Sequence, residues 1–242
     1  MDTIAIVDHT RKHRPEPGVL DAIAEALTTQ IERDFAPAWK VKPRRVTVGG
    51  RGDKLHLFDT SHQADDYGWH IVDGHGDPYA HLFAGVSIKR GSTWVDGEDA
   101  ISVTASHEVL EMLVDPAANE YTFNGLRTLW SREVCDPVQA DAYRIVASGM
   151  RVAVSNFVLP AFFNPWAPGP YDRLGVLTEP FSIARGGYAI VERATRTRER
   201  EARTIGVRFD RAVPKWQRTQ KLEGWGRTFW RLALVAGSSR RS

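Results

Sequence analysis

A histidine and two glutamates stand close together in one segment of the chain and could bind a metal ion. Residues 106–116 read Ser-His-Glu-Val-Leu-Glu-Met-Leu-Val-Asp-Pro, and a helix is predicted over residues 105–114 because the Asp-Pro pair ends it. Residues four apart share a helix face, so His107 and Glu111 point the same way, as two ligands of one ion must. Glu108 is adjacent and could act as a general base on a metal-bound water. The spacing therefore predicts a metal-dependent hydrolytic site.

Zinc is the expected ion, because imidazole nitrogens and carboxylate oxygens both bind it at about 2.0–2.2 Å. The ordinary alternative is that His107, Glu108 and Glu111 form the exposed polar face of an amphipathic helix. Four further histidines follow or lie within the polar segment 61–78, and they are interpreted as solvated: His62, His70, His75 and His81. A functional alternative places one of them, His81 or His75 first, in the cleft as an oxyanion stabiliser, and His70 could equally be a hydrogen-bonded core histidine.

The elements that must position this helix alternate between strands and helices. Strands are predicted at residues 3–8, 45–48 and 55–59, and apolar residues at helical spacing predict a helix over 19–34 that ends before Pro37. Residues 61–78 are rich in His, Asp and Gly and are predicted to form an exposed loop.

Further elements are predicted from residue 80 onward. Apolar residues 80–88 are predicted to form an edge strand ahead of the helix at 105–114. Residues 143–146 and 151–154 are expected to form a hairpin, residues 129–135 could be strand or helix, and residues 186–191 resemble a final strand. This order of elements predicts an α+β fold.

The segment around His107 resembles the active-site helix of the zincin metallopeptidases, most closely the thermolysin-like branch. There the helix reads His-Glu-x-x-His followed by small or apolar residues and an Asp, and Asp115 stands at that last position. The difference is Glu111, which stands where the family has a histidine. The resemblance covers roughly residues 1–140 and implies a zincin-like fold: a twisted mixed sheet with a backing helix and an active-site helix, whose edge strand could bind an extended peptide.

The resemblance also implies where a third protein ligand comes from. Gluzincins take a glutamate from a segment downstream of the active-site helix, with a nearby aspartate supporting a ligand, and Glu133 and Asp136 match this pair. Asp136 could also be the ligand itself, as in zincins that use an aspartate, so both residues are kept as ligands. Cys135 between them is a weaker ligand candidate and is expected to be a buried structural thiol.

The chain is also similar to a set of uncharacterised bacterial and phage proteins. These share the pattern Arg-Asp-Phe-x-Pro-x-Trp, found here at residues 33–39, together with Ser-His-Glu-x-x-Glu and an Asp-Pro. That similarity implies a metal-dependent hydrolase without an assigned substrate.

The composition of the chain excludes several classes of protein. The chain has 242 residues, of which 42% are hydrophobic and 26% charged, which is ordinary for a globular protein and excludes a wholly disordered chain. The sequence shows neither a membrane-spanning run nor a secretory signal, and the single cysteine, Cys135, fits a reduced cytoplasmic compartment.

The net charge of +2 conceals an uneven distribution. Residues 1–192 hold 18 Lys and Arg against 26 Asp and Glu, whereas residues 193–242 hold 14 against 4. We therefore expect a zincin-like metal-binding domain at 1–192 and a basic, Arg- and Trp-rich extension at 193–242. Docking of the extension on the body, on a partner protein or on a second copy is favoured over nucleic-acid binding, which stays an alternative.

Together these observations predict a zinc-dependent hydrolase, with a peptidase acting on peptide or protein substrates as the expected class. Glu108 would be the catalytic base, and His107, Glu111 and Glu133 or Asp136 would hold Zn²⁺. The alternative from a different class is a catalytically inactive structural or interaction protein, such as a virion-associated component that docks through its basic extension.

Overall fold

The computed structural model describes residues 3–60, 67–97, 99–126, 128–193 and 202–206. Along the chain the helices and strands are β1 (Thr3–Asp8), α1 (Val19–Thr29), α2 (Ala36–Trp39), β2 (Arg45–Val48), β3 (Asp53–Phe58), β4 (Gly68–Val72), β5 (Pro78–Phe83), α3 (Ala84–Lys89), α4 (Ile101–Val114), β6 (Tyr121–Phe123), β7 (Thr128–Ser131), β8 (Ala142–Ala147), β9 (Met150–Ser155), β10 (Tyr188–Arg193) and β11 (Ala202–Gly206). The α+β class that the sequence predicts is confirmed.

The larger sheet has five strands in the order β2-β1-β3-β5-β4. Strands β1, β2, β3 and β5 run parallel to one another, whereas β4 runs antiparallel to β5 along the edge. The sheet is therefore mixed, and its one antiparallel strand is an edge strand.

The predicted edge strand at 80–88 is wrong. Strand β5 ends at Phe83 and lies inside the sheet, while the following residues form α3. The edge strand next to β5 is β4, which occupies part of the segment predicted to be a loop. Asp73 explains the difference, because one of its carboxylate oxygens accepts hydrogen bonds from the backbone N–H groups of His75, at 2.7 Å, and Asp77, at 3.1 Å. The polar residues there form a hairpin turn between two strands.

The predicted helix over residues 19–34 continues further than expected. Helix α1 passes into a π-helical segment, Gln30–Phe35, and then into α2, which contains Pro37 in its first turn. Pro37 follows a stretch with π-helical bonding, in which the Ala36 N–H donates to the Ile31 carbonyl oxygen five residues back, so the regular α-helical hydrogen-bond pattern is already altered where the proline lacks its N–H. The expectation that the helix ends before Pro37 is therefore wrong.

Helix α4 lies between the larger sheet and the β8–β9 hairpin. It contacts β4 and β5 on one side and β9 on the other, while α1 packs on β2, β8 and β9. Most of the buried apolar residues form one continuous cluster between these elements. Because α4 is enclosed on two sides, side chains on more than one of its faces are buried.

Buried polar side chains fix α4 in rotation and along its axis. The Ser106 hydroxyl donates to the Gln30 side-chain oxygen at 2.7 Å and accepts from the Ser155 backbone N–H at 3.0 Å. The Gln30 amide nitrogen donates to the Ser155 carbonyl oxygen at 2.9 Å, and the Ser102 hydroxyl donates to the carbonyl oxygen of Ala153 at 2.7 Å. These bonds set the direction in which the neighbouring His107 points.

A second sheet has the order β11-β10-β7-β6 and is antiparallel where its strands pair. Strands β8 and β9 form the predicted hairpin, and the predicted final strand is present as β10. Part of the predicted basic extension, residues 202–206, pairs with β10 as β11; residues 207–242 lie outside the described residues. Every helix in the described part of the chain is too short or too polar to cross a membrane.

Candidate metal centre

His107 lies between two carboxylates that come from different parts of the chain. Its Nε2 atom is 3.1 Å from Glu111 Oε2, one helical turn away, and 3.1 Å from Asp136 Oδ1. The side chains of Glu111 and Asp136 are each 3% exposed, and that of His107 is 13% exposed. The helix spacing thus brings His107 and Glu111 together, and Asp136 places a second carboxylate beside His107.

Two backbone contacts carry Asp136 to this position. The Cys135 backbone N–H donates to Glu111 Oε1 at 3.0 Å, which ties the segment after β7 to α4. Asp136 then begins a short 3-10 helix, Asp136–Val138, that packs against the start of β10. Gly187 permits this approach, because a Cβ atom there would lie 2.2 Å from the carbonyl oxygen of Pro137.

Tyr188 follows Gly187 and donates a hydrogen bond from its phenol to the Asp136 carboxylate. The structure places its hydroxyl on a carboxylate of the candidate centre.

The sequence predicts His70 either as a solvated residue or as a hydrogen-bonded core histidine, but not as a member of this cluster. The core position is confirmed, because on β4 His70 is 7% exposed and faces α4. Its Nδ1 atom is 3.1 Å from Glu108 Oε2 and 3.8 Å from Glu111 Oε2, and its Nε2 atom donates to the Asp115 carbonyl oxygen at 3.0 Å. Trp69, Ile71 and Val72, ahead of an Asp-Gly turn, were a strand signal that could have placed it.

Glu133 lies on the His70 side of the cluster rather than beside His107. Its Oε2 atom is 3.8 Å from His70 Nε2, its side chain is 9% exposed, and that oxygen has no hydrogen-bond partner among the described residues. The structure therefore separates the two downstream candidates: Asp136 contacts His107, and Glu133 approaches His70. Cys135 is buried between them, and it offers a sulfur within 4.8 Å of donor atoms of His107 and Glu111.

The other histidines of the segment lie away from the centre. His75 is exposed in the β4–β5 turn. His81 pairs with Trp69 across β4 and β5, whereas His70 pairs with Ala80. Because successive strand residues face opposite sides of a sheet, His81 and His70 are on opposite faces. His62 lies outside the described residues.

Burial and neighbouring charges shift the protonation of the cluster. Burial alone would lower the pKa of His107 and of His70, but the adjacent carboxylates reverse this, so the pKa of His107 rises well above its usual value and that of His70 rises to about 9. Burial would raise the pKa of Glu111, but the two histidines lower it.

The pKa values of the other acidic groups in the cluster are raised. Burial, together with the Glu111 charge, raises the pKa of Asp136 to about 7 and that of Glu133 well above its usual range. Burial raises the pKa of the Cys135 thiol as well. A buried group of imidazoles and carboxylates with displaced pKa values is typical of metal and catalytic sites, although structural ion pairs also produce it.

Comparisons of the chain with protein-family models, with curated proteins and with solved structures found no match. The geometry alone therefore has to indicate the chemistry. His107 Nε2 lies 3.1 Å from one oxygen each of Glu111 and Asp136, and His107, Glu111 and Cys135 offer ligand atoms that all lie within 4.8 Å of one another. Imidazole, carboxylate and thiolate donors suit a divalent cation.

Proposed function

We propose that the protein is a metal-dependent hydrolase of zincin-like architecture, with a peptidase as the class of enzyme that fits best and zinc as the ion. The observation that carries the proposal is the convergence of Glu111 and Asp136 on His107 Nε2, at 3.1 Å each. Three protein ligands of this kind leave one coordination position for water. We assign His107, Glu111 and Asp136 as those ligands, with Glu133 in a supporting position.

Glu108 is the proposed general base. Its carboxylate adjoins Glu111 on the next turn of α4 and is held at 3.1 Å by His70 Nδ1. His70 is held in turn by its hydrogen bond to the Asp115 carbonyl oxygen, so the orientation of Glu108 is fixed from outside the helix. In this proposal a zinc ion would acidify its bound water and polarise the substrate carbonyl. Glu108 would accept the proton that the water loses.

The edge strand supports a peptide as the substrate. Strand β4 carries His70 and, within the described residues, pairs with β5 alone. Edge strands leave backbone N–H and C=O groups available on one side, and an extended peptide can bind them by adding a strand. A peptide bound there would run past the strand that bears His70.

Zinc content and hydrolysis test the proposal together. Protein purified without chelator should contain at least one equivalent of zinc, and His107→Ala should contain about one equivalent less, whereas His75→Ala, a change at an exposed histidine, should match wild type. Glu108→Gln should keep at least one equivalent of zinc and lower hydrolysis of a casein or peptide-library substrate by about 10²–10⁴-fold. The matched control is Glu32→Gln, the same chemical change at an exposed glutamate on the π-helical segment. Zinc-loaded protein without hydrolytic activity would contradict the proposal.

A structural role is the second candidate, and the burial of the cluster favours it. The side chains of the site are at most 13% exposed, and structural metal sites are closed whereas catalytic sites keep a position open to water. In this alternative the chain is a binding or assembly protein whose ion only stabilises the fold. Glu108→Gln discriminates between the two, because a purely structural ion predicts that this change affects no activity.

A further inference from the structure

A second group of donor atoms includes Glu111 but not His107. His70 Nδ1, Glu108 and Glu111 each offer one ligand atom, and these atoms all lie within 4.8 Å of one another. Glu111 Oε2 is 3.8 Å from His70 Nδ1 and 3.1 Å from His107 Nε2. A single carboxylate oxygen of Glu111 therefore faces both histidines, and the two donor groups share it.

The hydrogen bond that His70 makes through Nε2 determines which ring nitrogen faces the carboxylates. A carbonyl oxygen can only accept, so the Nε2 atom that lies 3.0 Å from the Asp115 carbonyl carries a hydrogen. The other ring nitrogen, Nδ1, then faces the carboxylates of Glu108 and Glu111, where it either carries the second proton of an imidazolium or offers its lone pair to a cation. A proton or a cation at this position balances the charge of the two carboxylates. Ligand histidines are oriented by hydrogen bonds of this kind from the second ring nitrogen.

Glu133 supplies an independent observation. Its side chain is 91% buried, and its Oε2 atom lacks a hydrogen-bond donor among the described residues. It approaches Nε2 of His70 at 3.8 Å and lies close enough to Glu111 and Asp136 for their charges to interact. A buried carboxyl oxygen without a donor is unusual in folded proteins, and a cation bound by the neighbouring acids would compensate its charge.

We propose that His70, Glu108 and Glu111 form a second divalent-cation site, and that Glu111 bridges it to the site at His107 and Asp136. One imidazole and two carboxylates suit a cation such as Zn²⁺ or Mn²⁺. The cation pair is a property of the donor atoms and does not require that the protein is an enzyme.

One consequence rests on the proposed function. If Glu108 is the general base, a cation in the second site makes it a ligand and takes it away from the substrate water. Hydrolysis should then rise with the first equivalent of zinc and fall as the second binds.

Cation stoichiometry tests the second site directly. In equilibrium dialysis of the full chain against Zn²⁺ or Mn²⁺, we expect two cations per chain for wild type, one for His70→Asn and one for Asp136→Asn. Glu111→Gln should weaken both sites, because it removes the shared ligand. His75→Asn is the matched control and should bind two, since His75 is exposed in the β4–β5 turn. One cation per wild-type chain, or two in His70→Asn, would overturn the proposal.

Electron paramagnetic resonance of the Mn²⁺-loaded protein gives a second measurement. Two manganese ions that share a carboxylate oxygen should give an exchange-coupled spectrum, and His70→Asn should give the six-line spectrum of an isolated ion. Isolated-ion spectra from the wild type at two equivalents would contradict the bridge. If His70→Asn fails to fold by circular dichroism, Glu108→Gln replaces it in both measurements, with one cation expected.

The two proposals fail in different ways. Two bound cations without hydrolysis at any zinc level would refute the hydrolase and leave the second site standing. Hydrolysis with one cation per chain, bound equally well by His70→Asn, would refute the second site and leave the hydrolase standing.

Discussion

The charge of Glu111 should be the largest single contribution that this cluster makes to the stability of the metal-free protein. Replacing it by glutamine in Glu111→Gln keeps the shape of the side chain and an oxygen that can accept from the Cys135 N–H. The change removes the negative charge that lies 3.1 Å from His107 Nε2 and 3.8 Å from His70 Nδ1. Two buried imidazolium groups then lose a shared counter-charge.

The expected cost follows from burial. The Glu111 side chain is 3% exposed, and removing one partner of a buried ion pair costs about 3–5 kcal/mol. A chain of this size loses roughly 2–4 °C of melting temperature per kcal/mol, so Glu111→Gln should melt about 6–20 °C below wild type. A surface ion pair would contribute about 0–1 kcal/mol and produce a much smaller shift.

The difference in stability between wild type and Glu111→Gln should depend on pH. Neighbouring carboxylates raise the pKa of His70 from 6.5 to about 9, so its contribution is fully present below pH 6.5 and is lost as the pH rises to about 9. The histidines lower the pKa of Glu111 below 4.5, so its contribution is present above pH 4.5 and is lost as the pH falls through the lowered value. The difference between the two proteins should therefore be largest near pH 5–6 and shrink towards pH 9.

Differential scanning calorimetry of chelator-treated, dialysed protein at pH 5.5, 7.5 and 9 measures this. Glu32→Gln serves as the matched control, because Glu32 is exposed. A melting temperature within about 2 °C of wild type at pH 5.5, on the same scale of degrees per kcal/mol, would refute the buried ion-pair reasoning. A deficit that stays constant to pH 9 would refute the assignment of charge to the histidines.

Three further outcomes are expected. Zn²⁺ at a free concentration 100 times its dissociation constant should stabilise the protein by about 2.7 kcal/mol per site, and differential scanning fluorimetry should show a smaller rise in His107→Ala than in wild type. Ser106→Ala should lower the free energy of unfolding in urea by about 1–3 kcal/mol, because it leaves buried hydrogen-bond partners unsatisfied; an unchanged midpoint would contradict this. Gly187→Ala should destabilise by about 1–3 kcal/mol, because its Cβ would lie 2.2 Å from the Pro137 carbonyl oxygen, whereas Gly74→Ala, in open space, should have little effect.

Local patterns in the sequence were sufficient where the structure is itself local. Strands β1 and β2 and the β8–β9 hairpin are where they were predicted, because short apolar runs bounded by turn residues define them. The shared face of His107 and Glu111 follows from helix geometry alone. The same local reasoning failed at β4, where an Asp-Gly turn and several histidines made a short strand look like a loop.

The position of Asp136 could not have been read from its own neighbourhood. It depends on the contact between Gly187 and Pro137, fifty residues apart in the chain, and on the Cys135 N–H bonding to Glu111. The sequence left Glu133 and Asp136 as alternatives because both are acids at similar distances from the helix. Tertiary packing places them at opposite ends of the cluster, one near each histidine.

The cluster explains how a donor-rich site can stay folded without an ion. Five buried carboxyl groups surround two histidines: Glu108, Glu111, Asp115, Glu133 and Asp136. In the metal-free state protons supply the positive charge, since the raised pKa values keep protons on the two histidines and on Glu133. Each of those protons occupies a place that a cation would take, so binding must release protons. The raised pKa values and the proposed cation sites are therefore two consequences of one excess of negative charge.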